Sequence, residues 1–555
     1  MKKEIVIILI IVCVAFFART FRISVNPPSL SWDEVSIGYN AYSILKTGKD
    51  EHQKVFPLDT FVAYGDYKPP LAVYLTVPFV AIFGLNELAV RLPSALMGTL
   101  TVLLTYFLVK ELLIVFKFKE PGTTNQELMK NLPLLSAALL AISPWHINLS
   151  RAGFEATIAL FFVVLGMYVT CKAEKNPLFW IFNWIPFVAA AYTFNSARYF
   201  VPMMGLGIVL FFWKSIKKNI GFFAVGVVVA GILMIPIVPH LLSKEARLRF
   251  VEVNIFTDSS VVENANARIA QSGNAWWAYI LHNRRVGYAK SYILHFLDHF
   301  QPEYLFERGD GNPKFSIQDV GQFYMIEAPF LVIGIIAMLV RNYPFGLFLL
   351  YWMIVAIIPA AVARETPHAL RTLNTLPTWQ IFIAYGIITT VLSIKYKVLS
   401  MAHNTLMSII FFLFIILYIF NVGYYIHNYY RHYPIEFSGE WQYGYKDALL
   451  AAIPVENKYD TIYVTDIIGR PYMYALFYEK TDPNKFFRTL DASFDGSGFY
   501  HVYGFGNYQF VQDMPKVCNG KCLYIAPSGS KPEDATMIKT IHLLNGSPIL
   551  ELYEK

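Results

Sequence analysis

The sequence predicts an α-helical polytopic membrane protein with a small α/β domain at its C-terminus. Of its 555 residues, 55% are hydrophobic and only 15% are charged, whereas soluble domains carry about 25% charged residues. The shortage of charge extends over the first 430 residues and ends where a more polar tail begins. This composition excludes a soluble enzyme with a single anchor and predicts many membrane spans.

About eleven apolar runs are long enough to span a membrane, if the shorter ones extend into their flanks. The first is followed by arginine and threonine instead of small cleavage-site residues, so we expect an uncleaved span and not a signal peptide. The runs are residues 5–21, 88–107, 132–147, 157–170, 178–193, 200–213, 220–238, 323–339, 344–362, 376–392 and 406–426.

A further apolar run, residues 71–85, decides the predicted topology. If this run does not cross the membrane, the loops on the inner face contain thirteen lysines and one arginine, as the positive-inside rule requires. If it crossed, every later loop would change sides and these lysines would face outward. We therefore expect residues 71–85 to form a juxtamembrane or re-entrant helix on the outer face.

This topology predicts two domains. Residues 1–430 form the transmembrane domain, with a first outward loop at 23–87 and a large outward loop at 240–322, and residues 431–555 form an extracytoplasmic domain. Strand-like runs at 461–465, 500–503 and 522–525, helical runs at 445–453 and 472–478, and a closing hairpin around 545–548 predict an α/β tail. Cys518 and Cys522 in this tail form either a local disulfide or two free thiols.

The net charge of +7 is attributed to this topology and to contact with anionic lipid, so no nucleic-acid partner is expected.

The polar stretch 31–70 contains the first candidate catalytic groups. Asp33 and Glu34 follow Trp32 shortly after the first span, where carboxylates accept protons, bind metal ions or are simply solvated. Lys68 closes the stretch beside Tyr67 and immediately before two prolines, which disfavour a helix at that position. Lys68 therefore either binds a lipid phosphate or extends its ammonium group to the membrane surface.

The second outward loop provides Glu155, Arg151 and His146. On one helix, Arg151 and Glu155 would share a face and neutralise each other, while Glu155 could instead be a second catalytic carboxylate. His146 is a base, a metal ligand or an ordinary interfacial histidine.

A later outward loop contains Arg364, His368 and Arg371, which would share one face of a helix. This cationic patch predicts phosphate binding, with anchoring to lipid headgroups as the alternative. The short outward loops contain arginine and no lysine, and arginine is the side chain suited to two-pronged phosphate contacts.

Other enzyme classes lack support in the sequence. We find no P-loop, no G-x-G-x-x-G after a strand, no H-E-x-x-H and no G-x-S-x-G. The proposed spans contain very few acidic residues, which argues against a proton-coupled transporter.

Seven stretches carry a resemblance to a known family. They are Trp32-Asp33-Glu34, Tyr67-Lys68-Pro69-Pro70-Leu71, Asn86 to Ala95, Ser143-Pro144-Trp145-His146, Ser150 to Glu155, Leu305-Phe306-x-x-Gly309-Asp310 and Pro367-His368-x-x-Arg371. These stretches resemble the multi-span GT-C glycosyltransferases, and particularly the protein O-mannosyltransferase and aminoarabinose-transferase-like group. An aspartate often stands in that group where Glu155 falls here.

The resemblance implies an outward-facing active site in the cell membrane that takes a polyprenyl-phosphate sugar as donor and inverts the anomeric carbon. Members of the group differ in whether a divalent cation such as Mg²⁺ or Mn²⁺ takes part, so the metal and its ligands stay open. In the implied assignment, Asp33 is the base or orients the acceptor, Glu34 and Glu155 support it, Lys68, Arg151, Arg364 and Arg371 bind the donor phosphate, and Tyr67, His146 and His368 bind substrate.

Two other functions remain as alternatives. A transporter or flippase would move a lipid-linked saccharide without changing it, and an inactive relative would bind polyprenyl phosphate without turnover. The acceptor is a protein, a lipid or an envelope glycan.

Overall fold

The computed structural model describes residues 2–118, 125–243, 246, 254–397, 401–496 and 500–555. Part of the predicted loop 240–322 therefore lies outside the described residues. The α-helices are Lys2–Thr20, Trp32–Thr47, Leu71–Phe83, Glu87–Val115, Asn125–Ile142, Pro144–Arg151, Glu155–Ala173, Phe179–Phe182, Trp184–Ala191, Asn195–Phe211, Trp213–Lys218, Ile220–Met234, Val238–Leu241, Ser259–Gln271, Trp276–Leu281, Arg284–Asp298, Ala328–Arg341, Tyr343–Ala361, Thr378–Lys397, Met401–Arg431, Tyr433–Phe437, Tyr445–Ala452, Pro471–Glu479 and Pro483–Thr489. Short helical turns of other types are Ile235–Ile237, Ile255–Thr257, Glu303–Glu307, Met325–Glu327, Leu373–Thr375, Gly439–Trp441 and Ile453–Lys458.

Several helices are suited to a membrane, so the chain is an integral membrane protein. Within the described ranges, five helices are long and apolar enough to cross it, and a sixth candidate is the pair Lys130–Ile142 and Pro144–Arg151, bent by 54°. The five are Glu87–Val115, Glu155–Ala173, Ile220–Leu241, Tyr343–Ala361 and Phe412–Arg431. Two other predicted spans, 178–193 and 376–392, coincide with the shorter apolar helices Phe179–Ala191 and Thr378–Leu392. The count of about eleven spans stays a prediction.

The chain divides into two compact units whose segments alternate along the sequence. The first unit contains Met1–Ala15, Gly98–Asn148 and Ala159–Tyr425, and the second contains Phe16–Met97, Leu149–Ile158 and Ile426–Lys555. The second unit thus combines the whole of the first predicted outward loop, 23–87, with the C-terminal tail. The domain boundary at residue 430 stays a prediction.

Two local structures shape the polar stretch 31–70, which lies in the second unit. The helix Trp32–Thr47 begins at a capping box, in which Ser31 and Glu34 each bind the other's backbone N–H. Strands β1 (Phe61–Ala63) and β2 (Asp66–Lys68) pair antiparallel through a two-residue turn. Tyr64 and Gly65 in this turn have φ values of 59° and 92°, as the favoured hairpin turn requires.

The tail forms a mixed seven-stranded sheet. In their order across the sheet, the strands are β4 (Asp491–Phe494), β5 (Tyr500–Phe505), β6 (Tyr508–Val511), β3 (Thr461–Thr465), β7 (Cys522–Pro527), β9 (Pro548–Glu554) and β8 (Thr536–His542). Central strand β3 runs parallel to both β6 and β7, and the remaining pairs are antiparallel. The predicted strands, helices and closing hairpin are confirmed, and Cys518 and Cys522 form a disulfide.

The first loop and the tail share one hydrophobic core. Gly38 of the helix Trp32–Thr47 lies so close to Phe477 that a β-carbon on Gly38 would come within 2.6 Å of the ring. The hydroxyl of Tyr474 donates to the carbonyl of Leu30 at 2.9 Å. The tail therefore fixes the position of the loop that carries Asp33.

Substitution of Gly38 by alanine should destabilise the second unit, because the added methyl group overpacks this contact at a cost of about 1–3 kcal/mol. We expect a lower melting temperature for the purified protein in detergent. Gly221→Ala is the matched control, since it is also a helical glycine and nothing lies within 4 Å of its added methyl group. Equal melting temperatures for the two variants would contradict the shared core.

Candidate active site

The ammonium of Lys68 lies among three carboxylates in the second unit. Its Nζ is 2.8 Å from Asp33 Oδ1, 3.6 Å from Glu155 Oε1 and 3.7 Å from Asp66 Oδ2. The Lys68 side chain is 14% exposed and that of Asp33 is 30% exposed. The structure therefore brings together three of the predicted residues, Asp33, Lys68 and Glu155. Half-buried Tyr67 precedes Lys68 on β2.

Charge defines what this cluster can do. Burial alone would lower the pKa of Lys68, but the carboxylates of Asp33, Glu155 and Asp66 raise it above its ordinary value. Lys68 is therefore a permanent cation, which favours the ionised form of Asp33. Three carboxyl groups surround one ammonium, so acidic groups outnumber basic groups in the cluster.

The carboxylates do not fit a metal site as they stand, because Lys68 occupies the space between them. Within the described part of the chain, no three histidine, cysteine, aspartate or glutamate side chains are arranged to hold a metal ion. Participation of Mg²⁺ or Mn²⁺ stays an untested prediction, and no step below depends on it.

Glu34 forms a buried ion pair with Arg91, and both side chains are 0% exposed. Arg91 Nε donates to Glu34 Oε1 at 2.8 Å, and the backbone N–H of Gly153 donates to the same oxygen at 2.9 Å. Arg91 also donates to the carbonyls of Ile23, Pro27 and Ser29. The contacts of Glu34 thus hold the chain together around the Lys68 cluster, although the sequence had suggested a supporting catalytic role.

Arg151 is likewise engaged by the protein. Its guanidinium donates to the hydroxyl of Tyr429 at 3.0 Å and to the carbonyls of Ala18, Phe21 and Asn26 at 2.7–2.8 Å. Of the two alternatives for Arg151 and Glu155, mutual neutralisation on one helix does not occur, because one helix ends at Arg151 and the next begins at Glu155. Glu155 pairs with Lys68 instead.

A buried carboxyl group, Glu51, connects the first loop to the tail. Asn40 donates to Glu51 Oε1 at 3.2 Å, and the hydroxyl of Tyr472 donates to Oε2 at 3.3 Å. Burial raises the pKa of Glu51 to about 8, against the smaller opposing effect of these hydrogen bonds. Glu51 is therefore mostly protonated at pH 7.

The first unit contains a separate polar cluster around Asp310. The backbone N–H of Ala369 donates to Asp310 Oδ2 at 2.6 Å, and His368 Nδ1 lies 3.7 Å from that oxygen. The backbone N–H of His368 donates to His299 Nε2 at 3.2 Å. Two stretches that resemble bacterial family members therefore meet here, although Asp310 was not among the predicted site residues.

The expected helix through Arg364, His368 and Arg371 is wrong, because this segment consists of bends and turns. Arg364 donates to the carbonyl of Asn254 at 3.1 Å and to Thr257 Oγ1 at 2.9 Å. Arg371 is half-buried, and its charge acts on both Asp310 and His368.

Burial controls ionisation in the Asp310 cluster. Burial raises the pKa of Asp310 to about 6, although hydrogen bonds and Arg371 oppose the shift. Burial and then the charge of Arg371 hold the pKa of His368 below its usual value. His368 is therefore a neutral imidazole at pH 7 and adds no charge to the predicted cationic patch.

His146 is fully buried in the helix Pro144–Arg151. The neighbouring Trp145 donates its indole N–H to the carbonyl of Ala369 at 3.0 Å. This bond places the segment of His146 beside the turn that carries His368.

Comparisons with known proteins agree with this arrangement. Residues 9–256 match the family described as dolichyl-phosphate-mannose-protein mannosyltransferase. The predicted family resemblance is confirmed. The chain is also similar to YycA of Bacillus subtilis, a protein assigned as a mannosyltransferase, with 26% identity over 159 residues. This match covers 28% of the chain and 21% of the relative, so the chain spans about a fifth of that relative's length.

The fold of the chain is similar to that of a solved membrane protein. The oligosaccharyltransferase AglB from Archaeoglobus fulgidus, solved with an inhibitory peptide and a dolichol-phosphate, matches 86% of this chain and 63% of its own. The TM-score is 0.50 and the identity 13%, which supports a GT-C type of fold. ArnT from Cupriavidus metallidurans bound to undecaprenyl phosphate matches over 99% of this chain and 97% of its own, with a TM-score of 0.49 and 10% identity.

Loss of the Glu34 carboxylate should destabilise the second unit strongly. Glu34→Leu would leave the buried Arg91 unpaired, which costs about 3–5 kcal/mol, so we expect low yield and a lower melting temperature. The double variant Glu34→Leu, Arg91→Met should recover part of this loss, because no unpaired charge remains. The recovery is incomplete because the carbonyls of Ile23, Pro27 and Ser29 lose their donor. A Glu34→Leu protein as stable as the wild type would refute the structural role of the pair.

Glu51 should make stability depend on pH. The pKa of Glu51 is about 8 in the folded protein, and the pKa of an ordinary glutamate is 4.5. The stability that the neutral carboxyl group contributes to the folded state is therefore fully present below pH 4.5. It is lost as the pH rises through about 8. We expect the melting temperature of the wild type to fall between pH 6.5 and pH 8, and Glu51→Gln to flatten this slope. Glu440→Gln, at an exposed position of the same unit, should keep it.

Proposed function

We propose that this protein is a membrane glycosyltransferase that moves a sugar from a polyprenyl-phosphate donor to an acceptor, with inversion at the anomeric carbon. The proposal rests chiefly on the ion pair between Asp33 and Lys68, in a region that matches the mannosyltransferase family. Asp33 is the most exposed of the carboxylates around Lys68 and is therefore the one we assign to the acceptor.

In the proposed reaction, Asp33 acts as the general base. It accepts the proton of an acceptor hydroxyl or amine as that group attacks the anomeric carbon. The bond between this carbon and the phosphate oxygen breaks, and the electron pair leaves with polyprenyl phosphate. A single displacement of this kind inverts the configuration. Lys68 keeps Asp33 ionised and oriented, which a base requires before it can accept a proton.

The family name supports the donor class, because that family is described as using a dolichyl-phosphate-linked mannose. AglB, whose fold is similar, was solved with a dolichol-phosphate. We therefore propose a lipid phosphate as leaving group. Phosphate binding by Arg364 and Arg371, which belong to the first unit, stays a separate prediction. The sugar and the acceptor, whether protein, lipid or envelope glycan, would be identified by mass spectrometry of lipids and glycans from a deletion strain.

The proposal includes an active site on the outer face of the cell membrane and about eleven spans. Nucleotide sugars are not supplied at that face, so a donor that arrives through the lipid suits the site. The disulfide between Cys518 and Cys522 supports an extracytoplasmic tail, because disulfides persist in oxidising compartments.

The test compares Asp33→Asn with wild type, matched for expression, in membranes supplied with lipid-linked sugar. We expect transfer to fall by about 100-fold or more, because general-base catalysis contributes about 10²–10⁴-fold. Asp59→Asn is the control, since Asp59 lies in the same loop and pairs with Lys54 instead. Undiminished transfer by Asp33→Asn would remove Asp33 from the mechanism, and lipid binding without any turnover by wild type would favour an inactive relative.

A further inference from the structure

The excess of acidic groups around Lys68 poses a problem for a phosphate donor. Lys68 already contacts Asp33, Asp66 and Glu155, and a phosphate that approaches this cluster is repelled. Growing negative charge on a leaving phosphate nevertheless needs a fixed cation or hydrogen-bond donors. The proposed function, on which this inference rests, therefore needs a further cation in the second unit that stabilises the charge of the leaving phosphate.

Two buried arginines of the second unit are already committed to protein acceptors. Arg91 binds Glu34 and three backbone carbonyls, and Arg151 binds Tyr429 and three backbone carbonyls. Recruiting either for a ligand would break several buried hydrogen bonds. A better candidate is a guanidinium near the cluster that forms no ion pair.

Arg470 in the tail meets this condition. Its guanidinium lies over the ring of Tyr64, 5.0 Å from the ring centre, and forms no ion pair with a carboxylate in the described part of the chain. The charge of Arg470 acts on Asp466, but the two are not in contact. Arg470 is half-buried and adopts a left-handed backbone conformation with φ of 58°. This conformation costs free energy for a residue other than glycine, and residues held in it cluster at functional sites.

The backbone beside Arg470 is fitted to the first loop. Gly469 has a φ of 93°, and a β-carbon there would come within 3.1 Å of the Trp32 ring. Trp32 directly precedes Asp33, and its carbonyl accepts a hydrogen bond from the hydroxyl of Tyr64 at 2.8 Å. The tail therefore places Arg470 against the turn of the β1–β2 hairpin, whose second strand ends at Lys68.

We propose that Arg470 is an anion-binding residue of the active site and contacts a phosphate group of the substrate. That phosphate belongs either to the lipid-linked donor or to a phosphorylated acceptor. The cation–π contact with Tyr64 holds the guanidinium of Arg470 near the ring. A guanidinium group carries N–H donors that match phosphate oxygens in a two-pronged contact. The tail thus contributes a binding residue as well as a scaffold.

The first experiment measures binding without transfer. Full-length wild type, Arg470→Gln and Arg470→Lys are purified in detergent and titrated with undecaprenyl phosphate, dolichyl phosphate and the uncharged polyprenol. We expect Arg470→Gln to weaken binding of the polyprenyl phosphates by about tenfold or more, because hydrogen bonds to charged groups are strong. Polyprenol binding should not change. Arg488→Gln, an exposed arginine of the same unit, is the control and should bind as wild type does.

The second experiment separates the two sources of phosphate. Transfer is measured with the donor varied at saturating acceptor, and then with the acceptor varied at saturating donor. A higher KM for donor in Arg470→Gln assigns the contact to the lipid phosphate, and a higher KM for acceptor alone assigns it to a phosphorylated acceptor. If both KM values and the polyprenyl phosphate affinity stay within about twofold of wild type, as for a neutral surface change, the proposal is overturned.

A folding defect would not obscure the result. If Arg470→Gln lowers the melting temperature, Arg470→Lys carries the test, because it keeps the charge and loses only the planar fork; we expect an intermediate loss of affinity. Phosphate binding that depends on Arg470 in a protein without transfer activity would support this inference and refute the proposed function. Transfer by Arg470→Gln with both KM values and the polyprenyl phosphate affinity unchanged would do the reverse.

Discussion

The buried ion pair between Glu34 and Arg91 is the constraint on which the candidate site depends. It joins the start of one helix to the interior of another and ties both to the carbonyls of residues 23, 27 and 29. The same carboxylate accepts the N–H of Gly153, two residues before Glu155. Buried charges are tolerated only when they are paired and hydrogen-bonded, so this network permits one arrangement of these segments. Asp33 and Glu155 take their places around Lys68 as a consequence.

The adjacent carboxylates Asp33 and Glu34 illustrate how one helix can divide two roles. Consecutive helical residues point about 100° apart. Glu34 therefore faces the interior, where it closes the capping box and binds Arg91, while Asp33 faces Lys68 and remains partly exposed. Residue type alone does not distinguish the carboxylate of Asp33 from that of Glu34. Their environments show that one is suited to proton transfer and the other to stabilising the fold.

Local patterns in the sequence predicted the local structure well. The helix after residue 70, the tail strands and the closing hairpin follow from apolar runs and turn residues, which act over a few positions. The sequence also selected Asp33, Lys68 and Glu155, and the structure brings these together. It did not select Arg91, although a charged residue inside a predicted span has to find a partner, and that signal was available.

The remaining features could not be read from local patterns, because they join distant parts of the chain. Arg91 meets Glu34 across 57 positions, and Asp310 meets Ala369 across 59. The helix expected through Arg364 and Arg371 failed for a related reason. Spacing alone indicated a shared face, but tertiary contacts of Arg364 with Asn254 and Thr257 hold the segment in bends. The common core of the first loop and the tail was likewise beyond sequence reasoning.

That common core has a consequence for how the protein is made. Leu30 accepts its hydrogen bond from Tyr474, 444 positions later, and the sheet that supports this contact is completed only by β9 near the C-terminus. At typical synthesis rates of about 5–20 residues per second, the loop waits roughly 20–90 seconds for its partner. During this interval the first loop lacks the tail side of its hydrophobic core. A polypeptide cut short before the sheet would keep this side of the loop uncovered.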